Sequence, residues 1–337
     1  MKVIVPVAGL GTRLKPHTYS KPKPLLTVAG KPVLGHILDM FNGKKYVEEV
    51  IFITGYMGEM IEQYVKANYP FRSRFIEQKE LKGQADAVYL ARDFVDKDCM
   101  IIFSDTLVDI KEADPDTLPN IREDGLIFVK EVKDPRRFGV VVTDQAGRVT
   151  EFIEKPDEPV SNNVNIGLYY VKNSQKMFRA IEQLVQRKIQ TQGEYFLVDA
   201  FNIMINQGQV FTTRTVDVWL DAGKPDTMLS TNRYLLEHGH SNRPKANGNI
   251  IIQPVFIAAS ADIEGSIIGP CVTVGENSVI RHSIVSDSII DSYSTIQHAI
   301  LHRSLIGSNA KVRGTSHILN VGDSSQVDFV QQEPGKK

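Results

Sequence analysis

Toward the end of the chain, apolar residues fall at Ile268, Val274, Ile280, Ile284, Ile290, Ile296, Ile300, Ile306 and Val312, in steps of 6, 6, 4, 6, 6, 4, 6 and 6. The unit therefore recurs every 16 residues. A coil of that length cannot bury its aliphatic corners alone and must stack them on the coils above and below, which is the logic of a β-helix. Gly269, Gly275 and Gly307 each follow an aliphatic residue, as a turn between short strands requires. The period sets two register columns, Ile252/Ile268/Ile284/Ile300 and Ala258/Val274/Ile290/Ile306. The short four-residue step departs from a plain six-by-three coil.

Upstream the grammar is different. Strand-like and helix-like segments alternate from residue 1 to about 238, which argues for an α/β domain around a largely parallel sheet. Strands are expected over 3–7, 49–54, 74–78, 100–103, 126–131, 139–143, 149–153, 164–171 and 210–215, and helices over 33–41, 58–65, 84–94, 174–187, 196–206 and 225–237. Residues 239–249, rich in Gly, Asn, Ser and Pro, read as a linker. The expected organisation is thus a domain over 1–238, a linker over 239–249, a β-helix over 250–325 and a tail over 326–337, disordered from Gln331 to Lys337.

The opening strand ends in Ala8-Gly9-Leu10-Gly11-Thr12-Arg13, with Lys23 ten residues further on. Glycines without a Cβ let the backbone turn and present its N–H groups, a cradle for phosphate at the carboxyl end of a strand. Arg13 and Lys23 add a planar fork and a mobile point charge. A lone Gly-x-Gly is common in ordinary turns. Here no Gly-Lys-Ser/Thr follows, which excludes a Walker loop, and the third glycine of the dinucleotide fingerprint is missing.

The longer run Gly9-Leu10-Gly11-Thr12-Arg13-Leu14-Lys15-Pro16-His17-Thr18, then Pro22-Lys23-Pro24 and Lys31-Pro32, resembles the opening of the sugar-1-phosphate nucleotidyltransferases. Their pattern is Gly-x-Gly-Thr-Arg-Leu-x-Pro-x-Thr, then Pro-Lys, then Lys-Pro. The resemblance implies a Rossmann-like (GT-A-like) α/β domain with a mixed sheet, followed by a left-handed hexapeptide-repeat β-helix. It also implies attack of a sugar-1-phosphate on the α-phosphorus of a nucleoside triphosphate, with release of pyrophosphate. By that resemblance Ala8, Gly9, Leu10, Gly11 and Thr12 cradle the nucleotide, Arg13 and Lys23 are catalytic, and Gln78 and Gly83 meet the base. Gly139, Glu154, Lys155, Asn165 and Glu194 line the sugar-phosphate side, the last held with Asp199 in a matching segment. Asp105, after an apolar strand, and Asp221, in Trp219-Leu220-Asp221-Ala222-Gly223, supply carboxylates for Mg²⁺. The base and the sugar are not fixed by the motifs; dTTP or UTP with glucose-1-phosphate is expected, with a mannose-1-phosphate guanylyltransferase as the alternative. A bifunctional acyltransferase and a non-catalytic sugar-nucleotide-binding paralogue are the further readings.

Charge and composition bound the partners. With 39 basic and 40 acidic residues the net charge is −1, so no global field favours nucleic acid or an anionic membrane. No apolar run reaches membrane-spanning length, and no charged leader with an apolar segment precedes the first strand, so a cytoplasmic location is the expectation. The two cysteines, Cys99 and Cys271, read as separate buried thiols in a reducing compartment. His282, His298 and His302 read as surface residues of the solenoid, and a homo-oligomer is expected, assembled through the flat sides of the β-helix or through the catalytic domain.

Overall fold

The apolar run at the head of the chain is the middle of a sheet. In the computed structural model, β1 (Lys2–Pro6), β2 (Glu49–Thr54), β3 (Ser73–Glu77) and β4 (Cys99–Ile102) are parallel, and β1 lies between β2 and β4. Val3, Ile4 and Val5 have no exposed surface. The structure describes residues 1–108, 113–136, 138–154, 156, 158, 160–314 and 319–328. The chain forms two compact units that do not follow sequence order: Met1–Leu10 with His36–Leu220, and Gly11–Gly35 with Asp221–Lys337.

In the first unit the sheet continues through β5 (Gly125–Glu131), β6 (Gly139–Thr143), β7 (Val149–Glu154), β8 (Asn163–Val171) and β9 (Phe211–Thr215). The order is β7-β6-β8-β4-β1-β2-β3, with β5 also on β8 and β9 on β5. The sheet is mixed, as the resemblance implies, where alternation alone suggests a largely parallel one: β8 runs antiparallel to β4, β5 and β6. The reason lies in short connections. β6 and β7 are joined by a turn in which the Asp144 carboxylate accepts the N–H groups of Ala146 and Arg148 and Gly147 takes φ +77°, so the strands must pair antiparallel.

Helices follow the sequence periodicity, from the short α1 (Val33–Leu38) and α2 (Gly58–Asn68) through α3 (Gln84–Tyr89), α4 (Ser174–Gln186) and α5 (Leu197–Asn206) to α6 (Pro225–Leu235). In α4 the Asn173 side chain caps the first turn by accepting the Lys176 N–H. Met177, Ala180, Ile181 and Leu184 form its buried stripe. They join Ile4, Ile101, Ile127, Tyr169 and Phe201 in the core of the first unit.

The second unit contains the β-helix: three sheets of short parallel strands repeating coil by coil. Its inward stacks are Ile251/Ile268/Val285/Leu301, Ile257/Val274/Ile290/Ile306/Val321 and Ile263/Ile280/Ile296/Val312/Val327. The expected register columns need correction. Ile268 stacks on Ile251 and Val285, not on Ile252 and Ile284, and Val274 stacks on Ile257, not Ala258. The first coils are one residue longer than 16, so a fixed period slides off them. Ile284 and Ile300 consequently face solvent, 41% and 48% exposed. Buried serines close the corners: Ser266 Oγ accepts the Ser283 N–H, and Ser283 Oγ accepts the Ala299 N–H. The last strand, Gln326–Asp328, pairs with Lys311–Arg313, and residues 329–337, which include most of the expected tail, lie outside the described residues. Cys99 and Cys271 are buried and unbridged, and His282, His298 and His302 are exposed.

Candidate active site

The chain lays β2 and β3 to one side of β1, then returns to place β4 on the other. That reversal opens a crevice at the carboxyl ends of β1 and β4, the position where open α/β sheets bind ligands. Ala8, Gly9 and Leu10 leave β1 there, and Ser104 and Asp105 leave β4. A side chain at Gly9 would meet nothing within 4 Å, so its backbone stands open. Gly55, after β2, was not singled out by the motifs, yet a Cβ on it would lie 2.8 Å from the Ala8 carbonyl. Asp105 is half-buried in a tight turn closed by Thr106 N–H to Phe103 O. Gly167, φ +77°, admits the Phe103 ring, which a Cβ would meet at 2.5 Å.

Along the same edge, Gln78 follows β3, is 6% exposed, and donates its amide to Asp86 at 2.9 Å and to Gly83 O at 3.4 Å. Gln78 and Gly83 therefore sit together, with Asp86 as a partner the sequence reading passed over. The close approach that Gly83 permits here is that of the Tyr195 backbone, 2.6 Å from where a Cβ would sit.

Gly139 and Glu154 face each other across the β6–β7 pair, and Glu154 Oε2 is 2.7 Å from where a Gly139 Cβ would be. Asn165 donates to the Tyr169 hydroxyl at 2.6 Å and accepts the Gly167 N–H, which fixes its amide. Burial pushes the Tyr169 phenol well above its ordinary pKa, so it stays a neutral donor and acceptor. Glu194 is exposed beside Thr191, whose hydroxyl donates to Asp199, and burial raises the Asp199 carboxyl. Lys155 lies outside the described residues. Trp219, which the motif carried without a role, has a buried indole N–H with no partner and an edge-on contact with Phe138 at 5.5 Å.

In the second unit Gly11 takes φ +62°, and a Cβ there would be 2.8 Å from Lys23 Cβ. The loop from Gly11 to Lys23 is thus closed on itself, with Thr18 Oγ1 donating to Gly11 O. Leu14 anchors it as a buried residue, while Thr12 and Arg13 are exposed and Lys23 is half-buried. Arg13 and Asp221 share the space beside Gly223: a Cβ there would be 2.8 Å from Asp221 Oδ1 and 3.6 Å from Arg13 Nη2. Asp221 Oδ1 accepts the Gly223 N–H at 2.8 Å, and its backbone carbonyl accepts from Thr231. Among the described residues no three His, Cys, Asp or Glu side chains converge into a protein-only metal cage. No helix among them is long and apolar enough to cross a membrane.

Residues 2–238 match the nucleotidyl transferase family. The bifunctional protein GlmU of Methanocaldococcus jannaschii is 36% identical over 256 residues, 75% of this chain but only 59% of that protein. The UTP–glucose-1-phosphate uridylyltransferase AglF of Haloferax volcanii is 35% identical over 244 residues, 70% of this chain and 97% of that protein. A UDP-glucose pyrophosphorylase solved with UDP-glucose shares the fold, with a TM-score of 0.60 at 20% identity over 70% of this chain and 98% of its own. The chain is a member of the nucleotidyl transferase family.

Proposed function

We propose that this protein transfers a nucleotidyl group from dTTP or UTP to glucose-1-phosphate. An oxygen of the sugar phosphate attacks the α-phosphorus, the bond from that phosphorus to the bridging oxygen breaks, and pyrophosphate leaves with the electron pair. The observation that carries this reading is the glycine loop at the switch point between β1 and β4, with Asp105 at the end of β4. The chemistry needs two anions held in line and their repulsion offset, which is work for positioning and charge. Backbone N–H groups of residues 8–12 receive the triphosphate, Arg13 takes charge developing on the leaving pyrophosphate, and Lys23 spans the attacking and transferred phosphates. Gln78 meets the imide edge of the base. Glu154 accepts from sugar hydroxyls, and Gly139, Lys155, Asn165 and Glu194 are assigned to the same sugar-phosphate side.

Asp105 and Asp221 are the residues that would hold Mg²⁺. The donor set fits in its chemistry, because both offer hard carboxylate oxygens, and Mg²⁺ takes its remaining ligands from water and phosphate oxygens. A bound ion there supplies charge neutralisation at the phosphates.

Pyrophosphate release over a matrix of nucleoside triphosphates and hexose-1-phosphates, with and without Mg²⁺, tests the reading. The expected outcome is Mg²⁺-dependent release with dTTP or UTP and glucose-1-phosphate. Silence across the whole matrix overturns it, and release with another pair overturns the substrate assignment alone.

A further inference from the structure

The outer faces of the β-helix differ. On the first sheet three of the four outward isoleucines, Ile250, Ile284 and Ile300, are 58%, 41% and 48% exposed, and the fourth, Ile267, is half-buried. On the second sheet the outward Thr273, Ile289 and Leu305 are 0%, 1% and 5% exposed. That second face is backed inside its own unit. Asn232 of α6 uses one amide oxygen to accept both the Thr273 hydroxyl, at 2.6 Å, and the Ala29 N–H, at 2.8 Å. The Phe256 ring lies against Gly30, where a Cβ would be 2.4 Å away.

The turns that end this sheet's strands carry Gly275, Asp291, Gly307 and Gly322 in successive coils, and the segment between Arg13 and Lys23 lies on the last three. Lys21 Nζ reaches Asp291 Oδ2 at 2.6 Å and Ser308 Oγ at 3.1 Å. Ser20 donates to Asp323, the buried His17 ring bonds Asn320, and Pro16 packs on Gly322. Both carboxylates are oriented by their own coils: one oxygen of Asp291 accepts the Ser292 N–H, one of Asp323 accepts the Ser308 N–H, and each offers its second oxygen to the loop. The Lys21 and Asp291 side chains are 19% and 10% exposed, so water and salt screen the pair weakly.

We propose that the β-helix is part of the catalytic apparatus, with Lys21 and Asp291 as positioning residues that fix the loop bearing Arg13 and Lys23. This rests on the reading of those two cations as phosphate ligands. Phosphate-binding cations act only where they are held, and a displacement of about 1 Å costs on the order of a hundredfold in rate. A loop tied at Pro16, His17, Ser20 and Lys21 has its two functional ends fixed from the middle.

The test uses the full chain with Lys21→Met, Asp291→Asn, the double variant and the conservative Lys21→Arg, measuring steady-state kinetics and amide hydrogen exchange over residues 12–23. Each single variant is expected to lose about ten- to a hundredfold in kcat, with the sugar-phosphate KM within about threefold. Exchange of the loop amides rises about tenfold or more, while β1 and α4 keep their protection. The double variant should be no worse than either single one, and Lys21→Arg should recover most of the turnover. Arg281→Ala, on the third sheet where Arg281 pairs with Asp262 and Glu264, is the control expected to match wild type. If Asp291→Asn fails to fold, Lys21→Met puts the same question from the loop side. Wild-type kcat in the variants overturns the proposal, whether or not the loop exchanges faster, since anchoring would then be structural only. A wild-type protein inactive over the full substrate matrix instead overturns the functional reading beneath it.

Discussion

Gly11 meets two demands at once. Its φ of +62° disfavours any side chain, and the Lys23 Cβ already occupies the space a Cβ would take. Gly11→Ala should therefore cost about 1 kcal/mol in strain and displace Lys23, lowering both the unfolding midpoint and kcat. Arg13 is exposed, so Arg13→Ala should leave the melting temperature near wild type while kcat falls about a hundredfold or more; calorimetry beside pyrophosphate release checks both. Lys23→Ala should lose at least as much turnover. His17 gives a pH dependence. It is 2% exposed, and burial lowers its pKa below the ordinary 6.5, against the raising influence of Asn320, Asp323 and Asp291 and with that of Lys21. The unfolded chain binds the proton first, so this residue's contribution to stability is complete above about pH 6.5 and shrinks as pH falls below it. His17→Gln should flatten that part of the stability–pH curve, measured by urea unfolding from pH 5 to 8. Of these residues, Gly9, Gly11, Arg13 and Lys23 are legible in the chain because their pattern is local. Gly55 and Asp86 are not, because what each serves, the Ala8 carbonyl and the Gln78 amide, arrives through folding.

At the level of elements, the parallel strands are easy to read because each is a short apolar run closed by a turn signal, and β2 falls on its expected limits. The antiparallel half is harder, since strand direction is set by the connections and not by the strands. In the solenoid the aliphatic stripe reveals the fold but not the register. Ile284 and Val285 are equally good candidates for an inward position, and only the 17-residue first coils decide that Val285 goes in. The consequence is measurable at the next coil, where Leu301 is buried and Ile300 is 48% exposed. Leu301→Ala should destabilise by about 2–5 kcal/mol, and Ile300→Ala should stay within about 0.5 kcal/mol. Equal effects in urea unfolding would mean the stacks are assigned one residue off.

The chain as a whole is interleaved: it leaves its first unit at Leu10, returns at His36, and leaves again after Leu220. A cut at the expected linker, residues 239–249, therefore does not separate catalytic from accessory sequence. It would remove Asp291, Ser308, Asn320, Gly322 and Asp323, β-helix residues that hold positions 16–21. It would also strip Thr273 from Asn232 and Phe256 from Gly30. AglF is matched over 97% of its own length by 70% of this chain, so the remainder of this chain has no counterpart in that match. In this chain Lys21 and Ser20 spend their polar groups on carboxylates that the solenoid supplies, and His17 is buried against Asn320. A fragment of residues 1–238 should accordingly keep the protected core strands β1, β2 and β4 but become open to trypsin after Arg13 and to chymotrypsin after Tyr19, with kcat reduced about a hundredfold. Limited proteolysis with mass spectrometry, run beside the pyrophosphate assay, reads both. A fragment that resists cleavage in the loop and turns over like the full chain would show that residues 11–23 hold their own shape and that the solenoid serves some other end.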